Sequence, residues 1–449
     1  MELKLDRIPG FTGIYPQKKL ESSCLLKEVV IPKLERLHID QMDNLKEIWP
    51  CEFSMTEEVK LREIEVRNCD NLVNMFPCNP MYLLHHLEEL IVKECGSIEV
   101  LFNIDLDSIC EIGEPRSSSS LRIIKLQELG KLREVWRIKG AGDSRLLIQG
   151  FQAVESLWIR GCKRFRNVFT PITTNFDLGA LMDILISDCG ENQRNNELAE
   201  GRQKQEQINI QSKEEMSHVG DSSSKVVFQS SLVNSFHNLR VLEVSSCEEV
   251  EVVFDIESPK SRELMINHDD QQKLLPYLTN LEIRFMERMS HIWKCDWNKF
   301  LILQKQQSES PFHSLTTIRL SGCKSIKYLF SPLMAKLLSN LKKVYIFDCD
   351  GIEEVVSNRD DEDKETTTCI STSSHTSTIL FPCLDSLALD RLPHLKCISG
   401  CHGSADGGNN ELISFNNTTT ISAFVDHQLK HSQILCTRKP ETARSVENK

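Results

Sequence analysis

The sequence predicts an α/β solenoid: a curved horseshoe with a parallel β-sheet on its concave side and an irregular or short-helical convex side. Three observations predict it. First, the phrase LTTIRLSGCKSIKYLF from Leu315 returns as LKKVYIFDCDGIEEVV from Leu341. Leu315, Ile318, Leu320, Cys323, Ile326 and Leu329 are thereby matched by Leu341, Val344, Ile346, Cys349, Ile352 and Val355. The shared template, L-x-x-[LIV]-x-[LIV]-x-x-C-x-x-[LIV], repeats at about 26 residues, inside the leucine-rich-repeat range. Second, Ile318 and Leu320 alternate with Arg319 and Ser321, the period of a strand that buries one face. Third, Ser331-Pro332 leads into LMAKLL, and a proline at the first helical position suits a short helix between copies. One coil of such a chain cannot cover its own apolar face, and stacked coils do it for each other.

The elements follow in order. Leu3, Leu5, Ile8, Phe11, Ile14 and Tyr15 have the spacing later held by Leu37, Ile39, Met42, Leu45, Ile48 and Trp49, so the chain is expected to begin inside a repeat, as a piece of a longer protein or a truncated gene product would. Copies start at Leu34, Leu61, Leu87, Leu121, Val154 and Leu181, and residues 1–189 form the first block of repeats. The polar stretch 190–224, with hardly any apolar anchors, is predicted to be a disordered insertion. Shorter acidic or serine-rich breaks lie at Asn103 to Ser120, Glu257 to Gln272 and Ser357 to Thr378. Repeats resume at Leu239, Leu278, Leu315, Leu341 and Leu384, giving a second block over 225–399, and 400–449 is expected to be a flexible tail. Copies with Met42, Leu129 or Met286 at the cysteine position end in Trp49, Trp136 and Trp293, whereas cysteine copies mostly end in Phe.

Composition narrows the function classes. Of 449 residues, 40% are hydrophobic and 26% charged, as in a soluble protein. Neither an apolar run of membrane-spanning length nor a secretory signal is present, so a cytoplasmic or nuclear location is expected. Of the 17 cysteines, Cys69, Cys95, Cys162, Cys189, Cys247, Cys323 and Cys349 share one repeat position and are predicted to be reduced, buried thiols, each donating weakly to a turn carbonyl. A net charge of −12 argues against nucleic acid.

Chemistry-bearing motifs are lacking. There is no phosphate loop, no H-E-x-x-H and no G-x-S-x-G, so no enzyme, cofactor or nucleotide site is predicted. Cys397, Cys401 and His402 lack a fourth zinc ligand, and the acidic run from Arg359 to Glu365 lacks the glycine and offsets of a calcium loop. Function then falls to the concave strands, where outward residues line up from coil to coil. Two clusters carry the residue types of binding hot spots: Lys125, Trp158, Arg160 and Leu185, and Arg319, Tyr345 and Phe347, with Arg284 in the same rows. A protein ligand is the expected partner.

With the repeats laid out, the chain resembles the leucine-rich-repeat region of plant coiled-coil, nucleotide-binding, leucine-rich-repeat disease resistance proteins. The resemblance rests on LREIEVRNCDNL and LEELIVKECGSIEVLF, alternating with LERLHIDQMDNLKEIW, and on LFPCLDSLAL after a polar break. It implies an intracellular immune receptor whose repeats sense a pathogen effector or a guarded host protein and help hold the receptor off, in concert with a nucleotide-binding module that has no counterpart in this sequence. Two alternatives stay open from sequence: a substrate adaptor of a ubiquitin ligase, which would need an F-box-like segment ahead of the repeats, and a truncated, non-functional paralogue.

Overall fold

The computed structural model describes residues 1–8, 11, 33–49, 60–76, 80–105, 119–139, 151–169, 178–190, 226–229, 236, 238–256, 275–295, 297, 311–357, 381–399 and 420–424. The predicted insertion at 190–224, the acidic run from Arg359 to Glu365, and Cys401 and His402 lie outside them, save Gly190. One parallel sheet of 13 strands organises the chain. It runs from Glu2–Asp6 through Arg36–Asp40, Glu63–Arg67, Glu89–Lys93, Ile123–Gln127, Ser156–Arg160 and Asp183–Ser187 to Val241–Ser245, Asn280–Arg284, Thr317–Ser321, Lys343–Phe347, Ser386–Asp390 and Thr420–Phe424. No described helix is long and apolar enough to cross a membrane.

Alternation within each strand sets the two faces. Leu37 and Ile39 point into the core, and so do Ile64 and Val66, Leu90 and Val92, and their counterparts as far as Leu387 and Leu389. Register is kept residue for residue, so Ile64 pairs with Leu90 just as Ile184 pairs with Leu242 across a much longer connector. A slip of one residue would turn every buried leucine outward, which is why the pattern holds register so firmly.

At the end of each strand the chain leaves the sheet through a left-handed residue. Gln41, Asn68, Glu94, Glu128, Asp188, Ser246, Phe285 and Asp348 all have φ between 51° and 55°, and Gly161 and Gly322 take the same position. Their N–H groups still serve the sheet: that of Asn68 donates to the Lys93 carbonyl at 3.1 Å, and that of Gly322 to the Phe347 carbonyl at 3.0 Å. The hydrogen bonds gained along the stack outweigh a conformational cost of about 1–2 kcal/mol at each non-glycine residue.

The cysteines then turn inward as predicted. Cys69, Cys95, Cys247 and Cys349 each donate from Sγ to the carbonyl two residues earlier, at 3.1 to 3.2 Å, and all seven thiols at this position are buried and free. Neighbouring coils bring them together: the Cys323 N–H reaches Cys349 Sγ at 3.5 Å. The hydrogen-bonded neighbour and then burial push the Cys95 and Cys323 thiols far above the ordinary thiol range. Cys189 and Cys247 are raised in the same way, by Cys162 and Cys189 respectively. Thiols held protonated in an apolar layer are inert packing groups.

Beyond the cysteine the chain turns and runs back, and here the structure adds detail to the convex side. Besides the two short helices Met81–Leu84 and Pro332–Leu337, it carries three separate three-stranded parallel sheets. These are Val100–Asp105 with Glu134–Lys139 and Asn167–Phe169; Val226–Gln229 with Val252–Ile256 and His291–Cys295; and Tyr328–Phe330 with Glu354–Val356 and Cys397–Ser399. The Pro332 helix is capped as its sequence implies, with Ser331 Oγ accepting the Met334 N–H at 3.2 Å. The strand from Val100 extends into what reads as a polar break, because Ile104 is buried while Asn103 and Asp105 flank it.

Aromatics fill the space between the two sides. Trp49, Phe76, Phe102 and Trp136 stack coil on coil with centroids 5.9, 4.8 and 5.8 Å apart, and Phe151 meets both Phe102 and Trp136 edge-on. A second set links Phe228 to Phe254 and Trp293 to Phe330.

Close approach is required at Gly351, where an added Cβ would sit 2.2 Å from the Lys324 carbonyl oxygen and 2.9 Å from that of Ile326. Both are backbone atoms and cannot swing aside. Gly351→Ala is expected to destabilise the protein by about 1–3 kcal/mol through forced separation of these coils, read as a lower urea midpoint. An unchanged midpoint would show that the coils are not in contact there.

Candidate functional site

The solvent face of the long sheet consists of the residues between the buried ones, and register converts them into rows. One row runs His38, Glu65, Ile91, Lys125, Trp158, Leu185, Glu243, Glu282, Arg319, Tyr345 and Ala388. The next includes Lys93, Gln127, Arg160, Ser187, Ser245, Arg284, Ser321, Phe347 and Asp390. Adjacent members belong to strands about 4.8 Å apart.

The structure brings the first predicted cluster together. Trp158 is paired on one side with Lys125 and on the other with Leu185, and it is 46% exposed. Lys125 Nζ sits 5.2 Å from the Trp158 ring centre while it binds Glu89 Oε1 at 2.8 Å. Its charge is therefore already satisfied, and what remains open is an apolar shelf of Trp158 and Leu185 with Ile91 beyond. Arg160 lies in the next row, with Nε 3.5 Å from Asp188 Oδ2. Both groups are well exposed, so that pair contributes little to stability.

The second cluster is also assembled. The Arg319 guanidinium lies 5.2 Å from the Tyr345 ring centre, and the Tyr345 and Phe347 rings are 6.2 Å apart. Arg284, by contrast, belongs to neither cluster. It is bound to Glu282 at 2.6 Å and to Glu243 at 3.6 Å, so it closes the acidic stretch that separates them.

Sequence reasoning missed Phe285. It occupies the left-handed position, is 56% exposed, and its ring lies where a Cβ on Gly322 would be, 2.5 Å from Phe285 Cδ1. The glycine of one coil therefore makes room for the aromatic of the previous coil. The signal was a Phe–Gly pair at the same position in successive copies.

Near the start of the sheet His38, Glu63 and Glu65 place three ligand-type atoms within 4.8 Å of one another. His38 Nδ1 is 3.2 Å from Glu65 Oε2, and Arg67 binds Glu65 Oε1. Burial raises the Glu65 carboxyl pKa, but the Arg67 and His38 hydrogen bonds and charges outweigh it and leave the pKa lowered. The arrangement is an ion-pair network that already carries its own cations.

Comparison with known proteins agrees with this geometry. Residues 33–190, 194–308 and 295–421 match the family described as plant disease resistance protein RPS2-like, leucine-rich repeats. No curated protein matched the chain. The matched segments include twelve of the strands of the long sheet in whole or in part, leaving outside only Glu2–Asp6. Taken with the stacked coils and their buried thiols, they place this chain in the leucine-rich-repeat family of RPS2-like plant disease resistance proteins.

Proposed function

We propose that this chain is the protein-recognition solenoid of an intracellular plant immune receptor. It senses a pathogen effector or a guarded host protein on the solvent face of the long sheet. In a receptor that carries a nucleotide-binding module, the same repeats hold that module in its resting state in the cytoplasm. The observation that carries this reading is the exposure of Trp158 beside Leu185, and of Phe285 near Tyr345 and Phe347, on a face whose other positions are mostly charged and ion-paired. Exposed aromatics of this kind give the strand little stability and are the residue types that dominate binding energy.

The test is recovery of bound proteins from leaf cells that express the full chain. Trp158→Ala and Tyr345→Ala are each expected to lower recovery of the partner at least about tenfold, equivalent to about 1.4 kcal/mol, with unchanged circular dichroism. Lys327→Ala, on the returning side, should leave recovery intact. Full retention by both face variants, with loss in the Lys327 variant, would move the recognition surface off the sheet.

A further inference from the structure

The cations of the solvent face are not equivalent. Arg36 approaches Glu2 at 3.8 Å, Arg67 binds Glu65, Arg160 faces Asp188 and Arg284 is held by Glu282 and Glu243. Among the described arginines of the strand face, Arg319 is the one with no carboxylate. Glu282 is its neighbour in register, but that carboxylate is committed to Arg284. Lys343, on the next strand and two residues before Tyr345, is exposed and has no carboxylate among the described residues. Two uncompensated cations thus stand side by side in a chain of net charge −12.

The surroundings of this pair are apolar and aromatic. Tyr345 lies beneath the Arg319 guanidinium, Phe347 is tilted against Tyr345, and the Phe285 ring covers Gly322, whose N–H binds the Phe347 carbonyl. Stacking on tyrosine holds the guanidinium in place, so less side-chain freedom is lost when a planar anion binds it. The carboxylates that border the cluster limit what that anion can be. Glu282 lies beside Arg319 and Asp390 beside Phe347, and Arg391 holds the Asp348 carboxyl below its usual range. A polyanion would meet these charges, whereas a single carboxylate next to an apolar side chain would not.

We propose that the Arg319, Lys343, Tyr345, Phe347 and Phe285 cluster receives an acidic-apolar peptide segment of the protein partner. One Asp or Glu carboxylate binds the Arg319 guanidinium in a two-point hydrogen bond, and an adjacent Leu, Phe or Trp lies on the aromatic shelf. This rests on the reading of the sheet face as the recognition surface and adds to it the chemistry of what is recognised there.

The experiment pans a display library of random twelve-residue peptides on the immobilised full chain, then titrates the most enriched peptide in solution. Enriched peptides are expected to carry Asp or Glu next to Leu, Phe or Trp. Arg319→Glu should weaken the titrated peptide at least about tenfold, Arg319→Lys less so, and replacing the peptide's Glu by Gln or Asp by Asn should match the Arg319→Ala loss. Circular dichroism of each variant confirms folding. Enriched peptides without acidic residues, insensitive to Arg319→Glu yet weakened by Trp158→Ala, would overturn this inference while leaving the recognition face standing. Peptides insensitive to Trp158→Ala, Tyr345→Ala and Arg319→Glu alike would overturn both. Failure to enrich any peptide, or tighter Arg319-dependent binding of a twelve-nucleotide oligouridylate, would overturn the peptide assignment.

Discussion

Cys349→Arg should melt the coils on either side of the substitution, lowering stability by several kcal/mol, whereas Cys349→Ala should cost only about 1–2 kcal/mol. Cys349 is fully buried between coils, with Sγ donating to the Phe347 carbonyl at 3.2 Å and receiving the Cys323 N–H at 3.5 Å. A guanidinium placed there has no carboxylate within the apolar layer, and desolvating an unpaired charge costs far more than a stack of two neighbouring coils gains. Alanine removes only a weak donor. The Phe347 carbonyl keeps the Gly322 N–H at 3.0 Å, so nothing is left unsatisfied. The check is urea unfolding combined with amide exchange, which should show protection lost first in Thr317–Ser321 and Ser386–Asp390, the strands flanking Lys343–Phe347. An arginine variant that melted like the parent would mean the thiol position is not enclosed.

Phe102→Ala should be nearly as damaging, at about 3–5 kcal/mol. The Phe102 ring is fully buried and touches three other aromatics: Phe76 at 4.8 Å, Trp136 at 5.8 Å and Phe151 at 4.9 Å. Those rings come from different coils, so the cavity left by alanine would lie at the junction of several and could not be closed by moving one. Phe102→Leu keeps most of the volume and should cost about half as much. Near-ultraviolet circular dichroism should also lose intensity in the alanine variant, because Trp136 would be freed on one side. Equal midpoints for the alanine and leucine variants would show that the stack bears no weight.

These two residues also show where a sequence is informative. Cys349 was legible because buried positions recur: Cys323 lies 26 residues earlier in the same phrase. Phe102 was legible as an apolar residue but not as a member of a stack, because stacking depends on how coils superpose rather than on local period. Short strands on the returning side, such as Tyr328–Phe330, are too brief to show alternation. Val226–Gln229 follows a polar stretch and precedes the next leucine template, so Phe228 had no repeat around it to mark it as core. Thr420–Phe424 lies past the last template, yet its backbone pairs in register with Ser386–Asp390 and carries the sheet beyond residue 399. The hot-spot clusters were legible once rows were aligned. The ion pairs that silence Arg284 and leave Arg319 open were not, since each depends on which of two nearby carboxylates a side chain reaches.

Residue-for-residue register across connectors of very different length makes the solvent face an addressable grid. Each side chain on it has two coordinates, a strand and a row, and neither changes when a connector lengthens or shrinks. The backbone beneath Ile184 and Leu242 is no less regular than that beneath Ile318 and Val344, although far more chain separates the first pair. Substitution at one grid point therefore alters the chemistry offered to a partner without moving its neighbours. Loss or gain of a whole coil would shift every later point by a single strand spacing. A lineage under pressure to recognise changing ligands can thus vary its recognition surface by independent steps, while selection for stability acts on the buried leucines and thiols.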